Sequence, residues 1–388
     1  MSRLPLSLAG FLLLSLPAAA RAQSPTPADA IALEREGKLA EAADAWRRVT
    51  ERNPKDARAW ASLGVVLSKQ QQYAQAALAY KKALSLNPKL PGIALNLGLA
   101  EFKQGKFDAA IPPLRAALSA DSSSFQARSL LGMSEYGAGK FKEASKDLEL
   151  AVNGDPENSE LHNVLAQSCL FAKSYDCALG EFQWILKRNP DSASVHMLTG
   201  EALDGLGRTT EAIQEFTVAA KVDARAPNVN FGLGYLYWKL REYDDAGRAF
   251  EAELALDHSN PQAMAYLGDV EMKRGNTDKA LELFQNAVRI RNDLRIAYVD
   301  LGVILTDQKQ YGEALAALQR GEKLDPEQPE VHYRLGRLYQ AMGNAEAAKN
   351  EFEKVQHLHQ KAEEDIADKM SGRKPVVTLP EIPKEPPQ

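Results

Sequence analysis

The chain contains few residues whose type and spacing could do chemistry. Its two cysteines, Cys169 and Cys177, stand eight positions apart, and an even cysteine count favours a disulfide in an exported protein. Three histidines, His162, His196 and His332, are separated by multiples of 34 residues. The sequence has no nucleophile elbow, phosphate-cradling glycine loop or HExxH motif. We therefore expect no enzyme activity, no metal site and no cofactor.

The spacing of the histidines reflects a repeat that sets the positions of all these residues. Residues 23 to 356 repeat every 34 positions without insertion or deletion, and position 20 of the unit is alanine in all ten copies. Position 8 is glycine or alanine in the nine copies after the first. The copies begin at residues 23, 57, 91, 125, 159, 193, 227, 261, 295 and 329. A fixed period of this length is typical of a solenoid.

Each repeat is predicted to form two antiparallel helices. Apolar residues at positions 4, 7, 8 and 11 make one helical stripe, and those at positions 17, 20, 24 and 27 make a second. Glycine is frequent near position 15, where it can close a helix, and proline at position 32 ends the second helix in five copies. Small residues at positions 8 and 20 should let the two helices approach closely, beside a large residue at position 24.

This pattern resembles the tetratricopeptide repeat family, which has Trp at position 4, Leu-Gly at 7–8, Tyr at 11, Ala at 20, Phe at 24, Ala at 27 and Pro at 32. The stretch AWASLGVVLSKQQQYAQAALAYKKALSLNP, residues 59–88, matches nearly throughout. Departures are local: Thr199 replaces the leucine of position 7, and Lys173, Arg241 and Lys309 replace the turn glycine. The resemblance implies an all-α fold, a right-handed α-solenoid superhelix of about ten helix-turn-helix repeats.

The repeat gives the cysteines and histidines a structural interpretation. All three histidines occupy position 4, where the family has an aromatic residue, so we interpret them as half-buried packing residues too distant to share a metal. Cys169 and Cys177 occupy positions 11 and 19, on opposite arms of one hairpin and about equally far from Lys173. Their backbones could therefore reach bridging distance. The alternative is that Cys169 is simply a small core residue.

Apolar residues also occur on a second stripe of the first helices, at positions 2, 5, 9 and 12, where a surface helix should be polar. In the family that this chain resembles, these positions line the concave groove that holds a partner peptide. The candidate partner-binding residues are Leu95, Leu99, Phe102, Met133, Tyr136, Phe171, Met197, Phe231, Tyr235, Trp238, Lys239 and Tyr333. Exposed apolar strips and aromatic anchors are typical of interaction sites. The alternative is that neighbouring first helices cover these side chains as a secondary core.

These observations predict a non-catalytic scaffold that binds a protein or peptide along its concave groove. Two alternatives stay open: a structural subunit of a cell-envelope complex, and an accessory binding module for a separate enzyme. The formal net charge is −5 and no basic block occurs, so we do not expect a nucleic acid partner.

The two ends of the chain differ in composition from the repeats. Residues 1–22 contain an apolar run followed by Ala20-Arg21-Ala22, which predicts a cleaved signal peptide; an uncleaved anchor is the alternative. We therefore expect an exported protein without membrane insertion after cleavage: periplasmic or extracellular in a bacterium, in the secretory pathway of a eukaryote. Residues 23–370 form the predicted solenoid, with an extended last helix. Residues 371–388 are proline-rich and predict a disordered tail.

Overall fold

The computed structural model describes residues 25–371, and every regular element among them is an α-helix. The predicted signal peptide and the predicted disordered tail lie outside these residues, apart from Ser371. The chain divides between Ala172 and Lys173 into an N-terminal and a C-terminal unit, which we describe separately. Among the described residues, no helix combines the length and the apolar character needed to cross a bilayer.

The N-terminal unit contains nine helices within its described residues. They are α1 (Pro27–Arg35), α2 (Leu39–Arg52), α3 (Ala57–Lys69), α4 (Tyr73–Leu86), α5 (Ile93–Lys103), α6 (Phe107–Ala120), α7 (Phe125–Gly137), α8 (Phe141–Gly154) and α9 (Ser159–Phe171). Odd-numbered helices here are the first helices of their repeats. Each first helix packs against the second helix of its own repeat from α1 to α8, and α5 also contacts the first helices on either side, α3 and α7.

The C-terminal unit contains eleven helices within its described residues. They are α10 (Tyr175–Leu186), α11 (Ala193–Gly205), α12 (Thr209–Val222), α13 (Val229–Lys239), α14 (Tyr243–Leu256), α15 (Pro261–Arg274), α16 (Thr277–Ile290), α17 (Arg295–Asp307), α18 (Tyr311–Leu324), α19 (Pro329–Ala341) and α20 (Ala345–Ser371). The first helices α11, α13, α15, α17 and α19 contact one another in sequence. The prediction of an all-α fold of stacked helix pairs is confirmed.

Close contact between the paired helices depends on the glycine at position 8. A Cβ atom on Gly200 would lie 2.6 Å from the Phe216 ring, and one on Gly268 would lie 2.7 Å from the Phe284 ring. The same relation between positions 8 and 24 occurs at Gly98 with Leu114, Gly132 with Leu148, Gly234 with Phe250, Gly302 with Leu318, and Gly336 with Phe352. The large residue at position 24 therefore packs directly over the glycine, and a Cβ there would collide with it.

The turn at position 15 keeps the left-handed conformation whether or not glycine occupies it. Gly207 has φ +76°, whereas Arg241 and Lys309 have φ 62° and 61°. A residue with a Cβ atom adopts this conformation at an energetic cost. The replacements noted in the sequence therefore preserve the turn, because the direction of the chain between the two helices requires it.

Position 4 carries a hydrogen bond that joins consecutive repeats. The His332 Nε2 atom lies 2.8 Å from the carbonyl oxygen of Pro326, which is at position 32 of the preceding repeat. Because a carbonyl oxygen only accepts, this ring nitrogen must donate. Equivalent bonds to the preceding proline are made by His162 to Pro156, by His196 to Pro190 and by the indole of Trp60 to Pro54. Histidine can replace tryptophan at position 4 because both rings offer this N–H donor.

The packing explains what a larger residue at position 20 would do. Ala212 on α12 has no exposed surface, and its carbonyl oxygen lies close to the position where a Cβ on Gly200 would be. We expect Ala212→Leu to lower the free energy of unfolding by about 1–3 kcal/mol through overpacking, measured by urea denaturation. The control Ala316→Leu, at an exposed site of α18, should unfold like the wild type. An unchanged midpoint for Ala212→Leu would contradict the packing described here.

Candidate functional site

The candidate residues of the N-terminal unit lie on its first helices, and most are half-buried. Leu95 and Phe102 pack against the core of that unit, and Leu99 and Met133 are also partly covered. The hydroxyl group of Tyr136 donates a 2.7 Å hydrogen bond to Oε1 of Gln167, on the next first helix.

Phe171 is the most exposed of these candidates. Its side chain is 52% exposed, and its ring centroid lies 4.8 Å from that of Phe141 and 6.5 Å from that of Tyr136. These three rings form one aromatic patch in the N-terminal unit. The structure therefore brings Tyr136 and Phe171 together, as part of the predicted strip.

Three candidates of the C-terminal unit form a single aromatic cluster around a residue that sequence reasoning missed. The ring of Tyr266 lies 5.8 Å from Phe231, 5.6 Å from Tyr235 and 5.1 Å from Trp238, measured between centroids. Tyr266 also stacks on Phe250 of the second helix α14 at 5.7 Å. We call these five residues the aromatic cluster. It joins the exposed face of the first helices to the core below.

The candidate residues of the C-terminal unit combine features of a partner-binding surface and of a secondary core. Phe231 and Trp238 are partly buried and pack against the core of the C-terminal unit, so part of their surface is secondary core. Met197 is likewise half-buried, on α11. Tyr333 on α19 is 43% exposed and contacts Phe352 at 6.0 Å. Phe231, Tyr235 and Trp238 each contact Tyr266, and Lys239 follows Trp238 directly on α13.

A pocket of about 510 Å³ opens beside this cluster, and most of its lining residues lie on the first helices of four successive repeats. We call it the Asp300 pocket. It is lined by Trp238, Lys239, Arg241, Tyr243, Asp269, Lys273, Arg295, Ile296, Val299, Asp300 and Glu330. Trp238 belongs to both the pocket and the aromatic cluster. The pocket thus combines an aromatic wall with ionisable groups, the composition typical of a binding site.

The carboxyl group of Asp300 is the most perturbed ionisable group of this pocket. Its residue is 7% exposed, and burial, followed by the charges of Asp269 and Glu330, raises its pKa from 3.8 to about 8. Lys273 and Arg334 oppose that shift without cancelling it. Asp300 is therefore protonated at neutral pH. Sequence reasoning did not single it out, because an isolated acid on a helix usually faces water.

Asp269 differs from Asp300 because it has partners. Its Oδ2 atom accepts a 2.6 Å hydrogen bond from the indole Nε1 of Trp238, and its Oδ1 atom lies 3.5 Å from Nζ of Lys273. The indole bond runs from one repeat to the next. It fixes the Trp238 ring against the side of the pocket and holds the carboxylate in place.

One group of side chains in the C-terminal unit has the composition of a metal site. Glu322, His332 and Glu351 bring one potential ligand atom each within 4.8 Å of the others. A lysine already offsets part of their negative charge: Nζ of Lys354 lies 2.8 Å from Glu351 and 3.4 Å from Glu322. Nδ1 of His332 contacts Glu351 at 2.7 Å. We interpret the group as an ion-pair network that orients His332, which differs from the purely packing role predicted for this histidine.

The two cysteines lie where the repeat places them. Cys169 on α9 is buried, with 1% of its surface exposed, and Cys177 on α10 is half-buried. Neither is a free thiol in the structure. The pairing of Cys169 with Cys177 stays a prediction.

The buried carboxyl group of Asp300 predicts a specific dependence of stability on pH. Because its pKa is about 8 in the folded chain and 3.8 ordinarily, the folded state binds more protons between these values, and stability falls as pH rises through this window. Asp300→Asn should remove this loss, gaining up to about 1.4 kcal/mol over the wild type per pH unit. Urea unfolding at pH 5, 7 and 9 measures the difference, and parallel curves for the two proteins would contradict it.

Comparison with known proteins identifies the repeat. A tetratricopeptide repeat family model matches residues 28–91, 95–159, 165–229 and 231–295. A second such model matches residues 329–358, and a TPR repeat model matches residues 302–343. Together these matches cover well over half of the chain and follow the same repeats throughout.

Individual relatives match over shorter stretches. Anaphase-promoting complex subunit 3 of Schizosaccharomyces pombe is 23% identical over 157 residues, which are 40% of this chain and 24% of that protein. Tetratricopeptide repeat protein 13 of Homo sapiens is 33% identical over 102 residues, 26% of this chain and 12% of that protein. The chain therefore spans about a quarter or less of the length of these two relatives.

One solved structure shows the same fold over most of the chain. The crystal structure of the APC/C hetero-tetramer Cut9–Hcn1 superimposes with a TM-score of 0.51 at 17% identity, over 89% of this chain and 82% of that one. The helix pairs, the glycine contacts at position 8 and the family matches all lead to the same result. The chain belongs to the tetratricopeptide repeat family.

Proposed function

We propose that the chain is a non-catalytic protein-interaction scaffold, and that the first-helix face of its C-terminal unit binds a segment of a partner protein. The observation that carries this proposal is the juxtaposition of the aromatic cluster with the Asp300 pocket, which share Trp238. Aromatic side chains provide large contact areas at little entropic cost, and a few polar groups beside them give orientation and specificity.

Two further observations support an interaction role. The pocket is lined by residues from successive repeats, from Trp238 on α13 to Glu330 on α19, so an extended segment could contact several repeats at once. The name of the Schizosaccharomyces pombe relative describes a subunit of a multiprotein complex. Both fit a surface whose task is to hold another protein.

The proposal is tested by removing the aromatic anchors. Tyr235→Ala combined with Trp238→Ala should weaken capture of native partners roughly tenfold or more, because two hot-spot side chains are lost. Proteins recovered on the immobilised chain are quantified by mass spectrometry, after in-cell crosslinking. Because both residues contact Tyr266, circular dichroism and urea unfolding must show that the variant remains folded. Undiminished capture by the folded variant would remove this site.

A matched control uses exposed apolar residues away from that face. Leu256 and Ile290 are 43% and 49% exposed, and both occupy position 30 at the end of a second helix. Leu256→Ala combined with Ile290→Ala should leave capture unchanged. This control also tests the second candidate, an assembly subunit that binds through its second helices, which is favoured by the recurrence of exposed apolar residues at position 30. Under that candidate, the control loses capture and the aromatic variant keeps it.

We further propose that the scaffold works outside the cytoplasm, on the strength of the leader-like composition of residues 1–22. The prediction is that the mature protein begins at Gln23. Amino-terminal sequencing of protein recovered from the exported fraction measures this directly. A chain that keeps residues 1–22 and sediments with membranes would support the anchor instead.

A further inference from the structure

We propose that the Asp300 pocket receives a basic side chain of the partner, and that arginine fits it best. This inference rests on the proposed function and adds the chemistry of the partner to it. Three properties of the pocket favour an arginine side chain: the carboxyl groups at its buried end, the existing ion pairs of its basic residues, and the orientation of its aromatic wall.

The buried end of the pocket is acidic and contains an unpaired group. Asp300 is 7% exposed and Asp269 is 5% exposed, and Glu330 lines the pocket with them. Among the residues that the structure describes, none forms a hydrogen bond or ion pair with the carboxyl group of Asp300. A largely buried carboxyl group loses most of its hydration, which disfavours its charged form. A cation entering the pocket would supply the missing partner.

Two of the four basic residues that line the pocket pair with acids outside it. Nζ of Lys239 lies 2.7 Å from Oδ1 of Asp204, and Nε of Arg295 lies 3.8 Å from Oδ2 of Asp325, both outside the pocket lining. Lys273 pairs with Asp269.

Two further basic residues lie nearby: Arg241, which also lines the pocket, and Arg334, which does not. Arg241 lies in the turn between α13 and α14. Arg334 pairs with Glu330 at 3.4 Å. The acids therefore dominate around Asp300, where Asp269 and Glu330 act more strongly than Lys273 and Arg334.

The aromatic wall favours a guanidinium over an ammonium group. The indole of Trp238 is fixed by its bond to Asp269 and by its contact with Tyr266. A planar guanidinium can stack on an indole and bind two carboxylate oxygens at once, which an ammonium cannot do in the same geometry. Trp238 and Asp300 would thus contact the face and the edge of one arginine side chain.

Binding of this side chain would release a proton. Asp300 is protonated at neutral pH, since its pKa is about 8; when a guanidinium enters, the carboxyl O–H bond breaks, the proton leaves to solvent and a carboxylate–guanidinium pair remains. Affinity should therefore increase as pH rises from 6 towards 8, up to about tenfold per pH unit. The other charged groups that face the pocket are Lys239, Arg241, Asp269, Lys273, Arg295 and Glu330.

The probe is Nα-acetyl-arginine amide, compared with Nα-acetyl-citrulline amide, which has nearly the same shape but no charge, and with Nα-acetyl-lysine amide. Binding is followed by the NMR signal of the Trp238 indole N–H, assigned with Trp238→Phe. Proton release is measured by calorimetry in buffers of different ionisation enthalpy. We expect the arginine probe to bind at least tenfold more tightly than the citrulline probe and more tightly than the lysine probe.

Asp300→Asn supplies the decisive variant, because it removes the ionisable carboxyl group without adding bulk and should not impair folding. It should weaken binding of the arginine probe tenfold or more and abolish proton release. The control Asp307→Asn makes the same change on α17, at an exposed site outside the pocket, and should bind like the wild type.

Three outcomes would overturn the inference: no saturable binding of the arginine probe, equal binding of the citrulline probe, or undiminished binding by Asp300→Asn. Equal or tighter binding of the lysine probe would overturn the assignment to arginine. Each of these leaves the proposed function intact if the Tyr235 and Trp238 variant still loses capture. Loss of the proposed function would appear instead as unchanged capture by that variant.

Discussion

The contact between the glycine at position 8 and the large side chain at position 24 is the interaction on which the other features of this protein depend. In the repeats that have glycine at position 8, the two helices pack at a distance that a side chain there would prevent, as at Gly200 with Phe216. Each repeat then presents its first helix in the same way. The side chains of successive first helices can meet only because these helices are spaced regularly.

The aromatic cluster and the Asp300 pocket are products of this spacing. Trp238 reaches Asp269 across one repeat boundary, and Asp300 comes from the repeat after that. No single repeat contains the site. The regular spacing of the first helices packs the aromatic rings against the core and also buries Asp300 near Asp269 and Glu330. The folded chain carries the energetic cost of that burial, and such a cost is often found where a protein binds a ligand.

Much of the fold could be predicted from sequence because each helix pair is determined by residues within one 34-residue repeat, and that pattern occurs ten times. The helix pairs, the turn at position 15 and the packing of positions 8, 20 and 24 follow from residue size and period. The site was predictable only in part. The second stripe of the first helices, at positions 2, 5, 9 and 12, includes Phe231, Tyr235 and Trp238. Tyr266 and Asp300 both occupy position 6, which is not part of that stripe.

The reason for the omission is physical. A helix of 3.6 residues per turn brings position 6 close to the same face, but whether its side chain meets the next first helix depends on how the two helices cross. That crossing is a tertiary property. The partners of the histidines were missed for a related reason, because the glutamate that contacts His332 is 19 residues away and the other partner is a backbone carbonyl.

The hydrogen bond from position 4 to the proline carbonyl of the preceding repeat has an evolutionary consequence. The donor is always a ring N–H group and the acceptor is always a proline carbonyl oxygen, whether the ring belongs to Trp60 or to His196. Deleting or duplicating a whole repeat in frame, between any two such joints, would recreate an equivalent joint. Unequal recombination could therefore lengthen or shorten an array of this kind in steps of 34 residues without exposing an unpaired acceptor at the new junction.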